Sequence, residues 1–202
     1  MWFGAGHLRS WSVPFAIALL AVILQWVDGA EWLRLEREGV AAEPWRLLGA
    51  HFVHLGWTHL GLNLAGLALL WVLLGDTLRP LLWMLGVVAL AVGVSFLLLC
   101  CSPTVGWYVG FSGVLHGLFA AGAVANLRRH TTLGLGVLAF LLGKLVLERI
   151  GDGDPFTAER IGGAVILEAH LYGVLLGLAY GAVLLSMSRP WRGSGASRGD
   201  RR

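Results

Sequence analysis

The sequence predicts an all-α polytopic membrane protein with six transmembrane helices, and three observations support this fold class. The 202 residues are 57% hydrophobic and only 13% charged, with a mean hydropathy of +0.74. That apolar fraction is well above the usual value for a soluble domain. The apolar runs are continuous rather than alternating, which excludes a transmembrane barrel. The chain length allows about six spans of roughly 20 residues with short connections, and leaves no room for a separate soluble domain.

The chain divides into an N-terminal segment, 1–10, a six-span domain, 11–187, and a polar basic tail, 188–202. The apolar runs that predict the spans are, in order, about 11–27, 57–74, 81–101, 112–126, 132–147 and 161–187. No small-residue cleavage site follows the first run, so we expect an uncleaved span rather than a signal peptide. The connection 28–56 mixes charged and apolar residues, which predicts amphipathic pieces at the membrane interface. The Gly/Ser-rich tail is expected to be disordered.

The basic residues predict the orientation of these spans. Arg9, Arg79, Arg128, Arg129 and the arginines of the tail all lie on one side of the membrane if there are six spans. Because Lys and Arg concentrate in cytoplasmic connections, both termini are expected in the cytoplasm. The net charge of +3 therefore reflects membrane topology rather than a nucleic-acid surface, and no nucleic-acid partner is expected.

The strongest candidate for chemistry is Ser112, which lies between Gly110 and Gly113 at the start of the fourth span. The flanking glycines allow a substrate backbone to approach closely. The helix start also offers unpaired N–H groups and a positive dipole end, which suit a nucleophile that creates an oxyanion. Taken alone, Ser112 is better explained as a helix cap followed by a Gly113-x-x-x-Gly117 packing face.

His170 in the sixth span is the candidate general base, although a lone histidine in a span more often forms a hydrogen bond between helices. Gly173, Gly177 and Gly181 follow it at four-residue spacing, so the sixth span is expected to pack tightly on the fourth. If packing holds the imidazole, no acidic third member is needed. Glu168 lies about 200° round the helix from His170 and is not expected to orient it.

Two polar residues of the second span, His59 and Asn63, share a helix face at i and i+4. With the backbone N–H of Ser112 they could stabilise a tetrahedral oxyanion. The predicted topology places all four residues, His59, Asn63, Ser112 and His170, in the outer half of the bilayer. His116, one turn below Ser112 on the same face, is expected to have a supporting role, through either a contact with His170 or a hydrogen bond to a neighbouring helix backbone.

The histidines His51, His54, His59 and His116 are candidate metal ligands by residue type. The sequence contains no HExxH motif, and no cysteine lies near these histidines. We therefore expect no metal and no other cofactor. For His51 and His54, which precede the second span, an interfacial or structural role is expected.

Together these residues closely resemble the rhomboid family of intramembrane serine proteases, over about residues 11–187. The motifs are Trp45-Arg46, His59-x-x-x-Asn63, Gly110-x-Ser112-Gly113 and Ala169-His170-x-x-Gly173-x-x-x-Gly177. The resemblance implies a six-helix rhomboid-like bundle with Ser112 as nucleophile and His170 as general base. It also implies His59, Asn63 and the Ser112 N–H as oxyanion stabilisers. The implied substrates are membrane proteins with a single helix-destabilised span, which enter sideways from the lipid.

Residues 107–117 and the short core look like the rhombosortase branch of that family. This branch implies a bacterial inner-membrane enzyme whose active site opens to the periplasm. Its implied substrates are secreted proteins with a C-terminal Gly-Gly, a span and a basic end, cut near the glycines by hydrolysis or by transfer to an amine. His116 departs from the family pattern, because many rhomboids have an aromatic residue there that stacks on the catalytic histidine; an imidazole can stack too.

Three alternatives to this function remain. One is a general rhomboid protease with other substrates. Another is a catalytically inactive rhomboid-like protein that binds membrane clients, although such relatives usually lack Ser112 or His170. The third is a small transporter or channel component, but the polar residues cluster near one face of the membrane rather than lining a path across it.

Overall fold

A computed structural model describes residues 11–151 and 155–187, so the predicted N-terminal segment and basic tail lie outside the described residues. The chain begins with α1 (Ser12–Trp26), α2 (Ala30–Leu33) and the two-residue strand β1 (Leu35–Glu36). Next come α3 (Arg46–Gly49) with a 3-10 turn (Ala50–Phe52), and α4 (Trp57–Leu74) with a 3-10 turn (Gly75–Thr77). The remaining elements are α5 (Pro80–Cys101), β2 (Trp107–Tyr108), α6 (Ser112–Asn126), α7 (Thr131–Ile150), α8 (Pro155–Ile161) and α9 (Leu167–Met187).

The long apolar helices make this chain an all-α, multi-pass membrane protein. Three helices are long and apolar enough to cross a bilayer, namely α4 with its 3-10 turn, α5 and α9. The count of six spans stays a prediction, for physical reasons. The helices α1 and α6 have 15 residues each, fewer than the roughly 20 that a perpendicular span needs. The 20-residue helix α7 carries Lys144, Glu148 and Arg149 in its second half.

Two predicted span boundaries differ from the structure. The fifth predicted span stops at residue 147, whereas α7 continues to Ile150 and takes Glu148 into its last turn. The sixth was expected to begin at residue 161, but α9 begins at Leu167, after the separate short helix α8. The break follows from Gly162, whose φ of +81° is the left-handed conformation that ends helices.

The tightest helix pair is α6 against α9, and glycines on both sides permit it. A Cβ added at Gly173 would overlap the carbonyl oxygen of Gly113, and one added at Gly177 would overlap that of Gly117. A Cβ at Gly181 would lie 2.8 Å from the carbonyl oxygen of Ala121. The backbones therefore touch along the whole glycine stripe, as the sequence predicts for small-residue helix contacts.

The connection before α4 is folded onto the end of α5, where it supports the segment that leads into α6. Strand β1 pairs antiparallel with β2, with Leu35 opposite Tyr108 and Glu36 opposite Trp107. The Arg37 guanidinium donates hydrogen bonds to four carbonyl oxygens at and beyond the end of α5, those of Leu98, Leu99, Ser102 and Val105. Carbonyls at a helix end have no partner within the helix, so this arginine both caps α5 and fixes the loop after it.

Candidate active site

The structure brings together the two residues predicted to carry the chemistry. Ser112 is the first residue of α6 and His170 the fourth residue of α9, on the two helices that the glycine stripe holds in contact. The Ser112 hydroxyl oxygen lies 3.0 Å from Nε2 of His170. The imidazole is 4% exposed, so its position is determined by packing and hydrogen bonds rather than by bulk solvent.

The structure also contains a contact that the sequence reasoning missed. His170 Nδ1 lies 3.0 Å from Oε2 of Glu148, in the last turn of α7, although no acidic third member was expected. Only Glu168 on the histidine's own helix had been weighed for this position. The other Glu148 oxygen pairs with the ammonium of Lys144, one turn earlier on α7. The signal in the sequence was this Lys-x-x-x-Glu pair inside an otherwise apolar run.

His116 stacks on His170, as its position one turn below Ser112 allowed. The ring centroids are 4.1 Å apart and the ring planes differ by 14°. Nδ1 of His116 lies 2.7 Å from the carbonyl oxygen of Ser112. Because a carbonyl only accepts, that nitrogen carries the proton, and the hydrogen bond fixes the His116 ring against its own helix.

Gly110 allows His59 to approach the loop before Ser112. Its φ of +119° is a conformation that glycine adopts without strain, and a Cβ at this position would lie 2.7 Å from the His59 ring. The backbone N–H of Gly110 donates to the carbonyl of Ala50, and its carbonyl accepts from the Tyr108 hydroxyl. These contacts fix the Gly110 backbone just before α6.

His59 and Asn63 are both buried on the face of α4 that borders Ser112. Nδ1 of His59 is 3.4 Å from the backbone nitrogen of Leu55 and accepts its N–H, which leaves Nε2 as the protonated donor. The Asn63 amide donates one hydrogen bond to the His59 carbonyl at 3.0 Å, so its second N–H is free for another acceptor.

An open cavity of about 360 Å³ gives access to these residues. Its polar lining comes from His59, Asn63, Ser112, Lys144 and Glu148, together with His116 and His170. Apolar side chains, mainly of α4, α6 and α7, form the rest of the wall, including Leu62, Leu69, Phe119, Phe140 and Leu141. Leu62, Leu69 and Phe140 are each about half exposed or more, so the cavity opens between α4 and α7 toward the lipid.

A second, smaller cavity of about 30 Å³ also borders Ser112. It is bounded by the connections that precede the helices, through Leu55, Trp107 and Val165, and it also reaches His59. This volume is enough for about one water molecule.

His51 and His54, for which an interfacial or structural role is expected, are both buried. His51 Nε2 lies 3.0 Å from the Ser95 hydroxyl, which itself donates to the Leu47 carbonyl, so this pair ties the 3-10 turn to α5. Burial lowers the pKa of His51 to about 4. Burial and then the neighbouring His59 lower the pKa of His54 to about 3. Both rings are therefore neutral at physiological pH.

One group of side chains has the composition of a metal site. His116, Glu148 and His170 each place a potential ligand atom within 4.8 Å of the others. The arrangement does not suit a metal ion. Imidazole lone pairs lie in the ring plane, and two nearly parallel stacked rings cannot direct them at one point. Both nitrogens of His170 also have hydrogen-bond partners already.

No curated protein sequence matches this chain. The sequence model of the Rhomboid domain, however, matches residues 41–187, more than two thirds of the 202 residues. That range includes every residue of the site described above. The chain therefore belongs to the rhomboid family of intramembrane serine proteases.

Proposed function

We propose that this protein is an active intramembrane serine endopeptidase in which Ser112 is the nucleophile and His170 the general base. The 3.0 Å approach of the Ser112 hydroxyl to His170 Nε2, at the wall of an open cavity, supports this proposal most directly. In the first step Oγ of Ser112 attacks the scissile carbonyl carbon while its proton passes to Nε2 of His170. The same proton is then given to the leaving amine, and a water molecule later hydrolyses the acyl-enzyme with His170 again as base.

The oxyanion of the tetrahedral intermediate would be stabilised by three donors. These are Nε2–H of His59, the free N–H of the Asn63 amide and the backbone N–H of Ser112. His59 and Asn63 line the same cavity as the Ser112 hydroxyl. The backbone N–H groups of the first helical turn have no partner within α6, so that of Ser112 is free to donate. Each such donor typically contributes a few kcal/mol to transition-state stabilisation.

We propose that substrates enter sideways from the lipid, between α4 and α7. Exposed apolar side chains line both edges of the cavity, which suits an apolar transmembrane segment rather than a soluble peptide. The polar groups lie only at the end of the cavity where α4 and α6 begin and α7 ends. A span lying along this opening would therefore present to Ser112 the residues near one of its own ends.

The substrate class that fits best is the C-terminal sorting tail implied by the resemblance to rhombosortases, with Gly-Gly, a span and a basic end. Glycines are poor helix formers, so they would unwind the tail next to its span and expose the backbone to Ser112. On this proposal the protein lies in a bacterial inner membrane with both termini cytoplasmic, and its site opens to the periplasm. The released segment is transferred to water or to an amine.

Co-expression with a model tail carrying Gly-Gly, a span and a basic end tests this proposal, comparing wild type with Ser112→Ala. We expect cleavage in wild type alone, seen as a shift of the tagged substrate on a gel. If the tail survives while an unrelated rhomboid substrate is cut through Ser112, the protease remains and the sorting-tail substrate is wrong. No Ser112-dependent cleavage of either substrate would favour the binding-only alternative.

Asn63→Ala is expected to lower kcat by about 10²–10³ while leaving measurable activity. His59 and the Ser112 N–H would still stabilise the oxyanion, so the loss stays smaller than for Ser112→Ala. Because the amide is expected to contact the oxyanion and not the ground-state substrate, KM should change little. Steady-state cleavage of the model tail in detergent measures both constants. Unchanged kcat would remove Asn63 from the oxyanion site.

A further inference from the structure

We propose that Glu148 is a positioning residue for His170, so that the catalytic group is a Ser–His–Glu triad assembled from α6, α9 and α7. This inference rests on the proposed function, because it assigns Glu148 a role in the same reaction. The carboxylate would hold His170 in the tautomer that accepts the serine proton. It would also stabilise the imidazolium that forms when the proton arrives.

The hydrogen bonds of His170 support this role through both ring nitrogens. An ionised carboxylate only accepts hydrogen bonds, so the 3.0 Å contact with Glu148 places the proton of neutral His170 on Nδ1. Nε2 is then unprotonated and lies 3.0 Å from the Ser112 hydroxyl, ready to accept its proton. The opposite tautomer would break the bond to Glu148 and present an N–H to a hydroxyl that must lose its own proton.

Lys144 gives the carboxylate a fixed orientation and a neighbouring positive charge. The ammonium pairs with Oε1, which leaves Oε2 for His170, so the two oxygens have different partners. The Glu148 side chain is 10% exposed, and an unpaired carboxylate there would be costly to ionise. Lys144 is 37% exposed at the cavity wall, where its own charge remains partly solvated.

The His170 ring is thus held from three directions by three elements. His116 on α6 stacks against its face and restricts tilting of the plane. Glu148 on α7 fixes rotation within that plane, and the backbone contact of α9 with α6 fixes the distance to Ser112. Stacking alone leaves the ring free to flip by 180° about the Cβ–Cγ bond, which places Cδ2 and Cε1 where Nδ1 and Nε2 now lie. The hydrogen bonds to Glu148 and Ser112 both favour the observed orientation, but only the bond to Glu148 also fixes the proton on Nδ1, because a hydroxyl can either donate or accept.

The competing explanation is that Glu148 serves only to fasten α7 to α9. A purely structural ion pair would change stability or probe binding, but not the intrinsic reactivity of Ser112. Labelling of Ser112 by a fluorophosphonate separates these effects, because the reaction requires an activated serine and no knowledge of the substrate. The maximal labelling rate constant reports activation, and the probe concentration for half that rate reports binding.

The experiment compares wild type, Ser112→Ala, Glu148→Gln, Glu148→Asp and the control Glu168→Gln in detergent. Glu168→Gln removes the same charge from the first turn of α9, two residues from His170. We expect Glu148→Gln to lower the maximal rate constant about 100-fold or more with an unchanged half-saturating concentration, as loss of the tautomer-fixing acid does in serine proteases. Glu148→Asp should recover most of that loss, and Glu168→Gln should label like wild type.

Labelling of Glu148→Gln at the wild-type rate would overturn the inference. An aspartate variant as slow as the glutamine variant would also overturn it, as would a change confined to the half-saturating concentration. If Glu148→Gln does not fold, Glu148→Asp decides alone. Its shorter side chain should lower the maximal rate constant about 10-fold with unchanged binding, and a wild-type rate would contradict the triad. Wild type that labels no faster than Ser112→Ala would instead contradict the proposed protease.

Discussion

His170→Ala is expected to lower Ser112-dependent cleavage by at least about 10⁴-fold without unfolding the protein. The imidazole is the only base within hydrogen-bond distance of the Ser112 hydroxyl among the described residues, so its loss leaves the hydroxyl unactivated. The substitution leaves every carbonyl and glycine of the contact between α6 and α9 in place, so the variant should remain folded. Cleavage of the model tail in detergent, together with the melting temperature of each variant, measures both effects.

The double variant Ser112→Ala/His170→Ala supplies the control for this prediction. Two residues that act as one catalytic unit are strongly non-additive, so the second substitution should cost almost nothing further. If the two losses instead multiply, the residues act independently and the shared proton transfer is wrong. Residual cleavage by Ser112→Ala, His170→Ala and the double variant should be equal and near background.

Gly177→Ala is expected to lower the free energy of unfolding by about 1–3 kcal/mol and to lower activity about 100-fold. The new methyl group would overlap the carbonyl oxygen of Gly117. Both groups are attached directly to helix backbones, so neither can move away by rotating a side chain. The helices α6 and α9 must therefore separate. Gly177 is two helical turns from His170, so the activity would fall through the distance from Ser112 to His170 rather than through a lost contact with substrate.

Gly143→Ala is the matched control, since it makes the same chemical change in a long helix. A Cβ at Gly143 meets no atom within 4 Å. Because alanine is the better helix former, we expect unchanged activity and a stability equal to wild type or higher by about 0.5–1 kcal/mol. Thermal melts in detergent and fluorophosphonate labelling of Ser112 compare the two variants directly. If both variants lose stability equally, the helix contact is not the cause.

Much of the site can be predicted from the sequence because helical periodicity and the position of a residue along its span are local properties. His59 and Asn63 share a face through their i, i+4 spacing, and the structure places both at the cavity that Ser112 lines. The glycine stripe on α9 likewise predicted a close helix contact, which exists against α6. The pairing of Ser112 with His170 was predicted from the family motifs, because the spacing of these two residues along the sequence does not indicate a contact.

Glu148 was missed for reasons that are physical rather than statistical. The predicted fifth span ended one residue before it, and acidic residues beyond a span end usually face water. Its partner His170 is 22 residues away, beyond a helix break, so no periodic pattern connects the two. The break itself had a signal in Gly162-Gly163, but a continuous apolar run hides a single left-handed residue.

The short length of α6 has a consequence for how water reaches the reaction. At 1.5 Å per residue, its 15 residues rise about 22 Å, less than the roughly 30 Å of the hydrocarbon layer. On the proposed six-span topology, with the far end of α6 at the membrane surface, the helix begins several ångströms inside the membrane. On that topology Ser112 lies below the membrane surface, where lipid alone would supply no water to hydrolyse the acyl-enzyme. The small cavity between Trp107 and Val165, which reaches Ser112, would hold that water molecule, and filling the cavity with larger side chains should slow deacylation more than acylation.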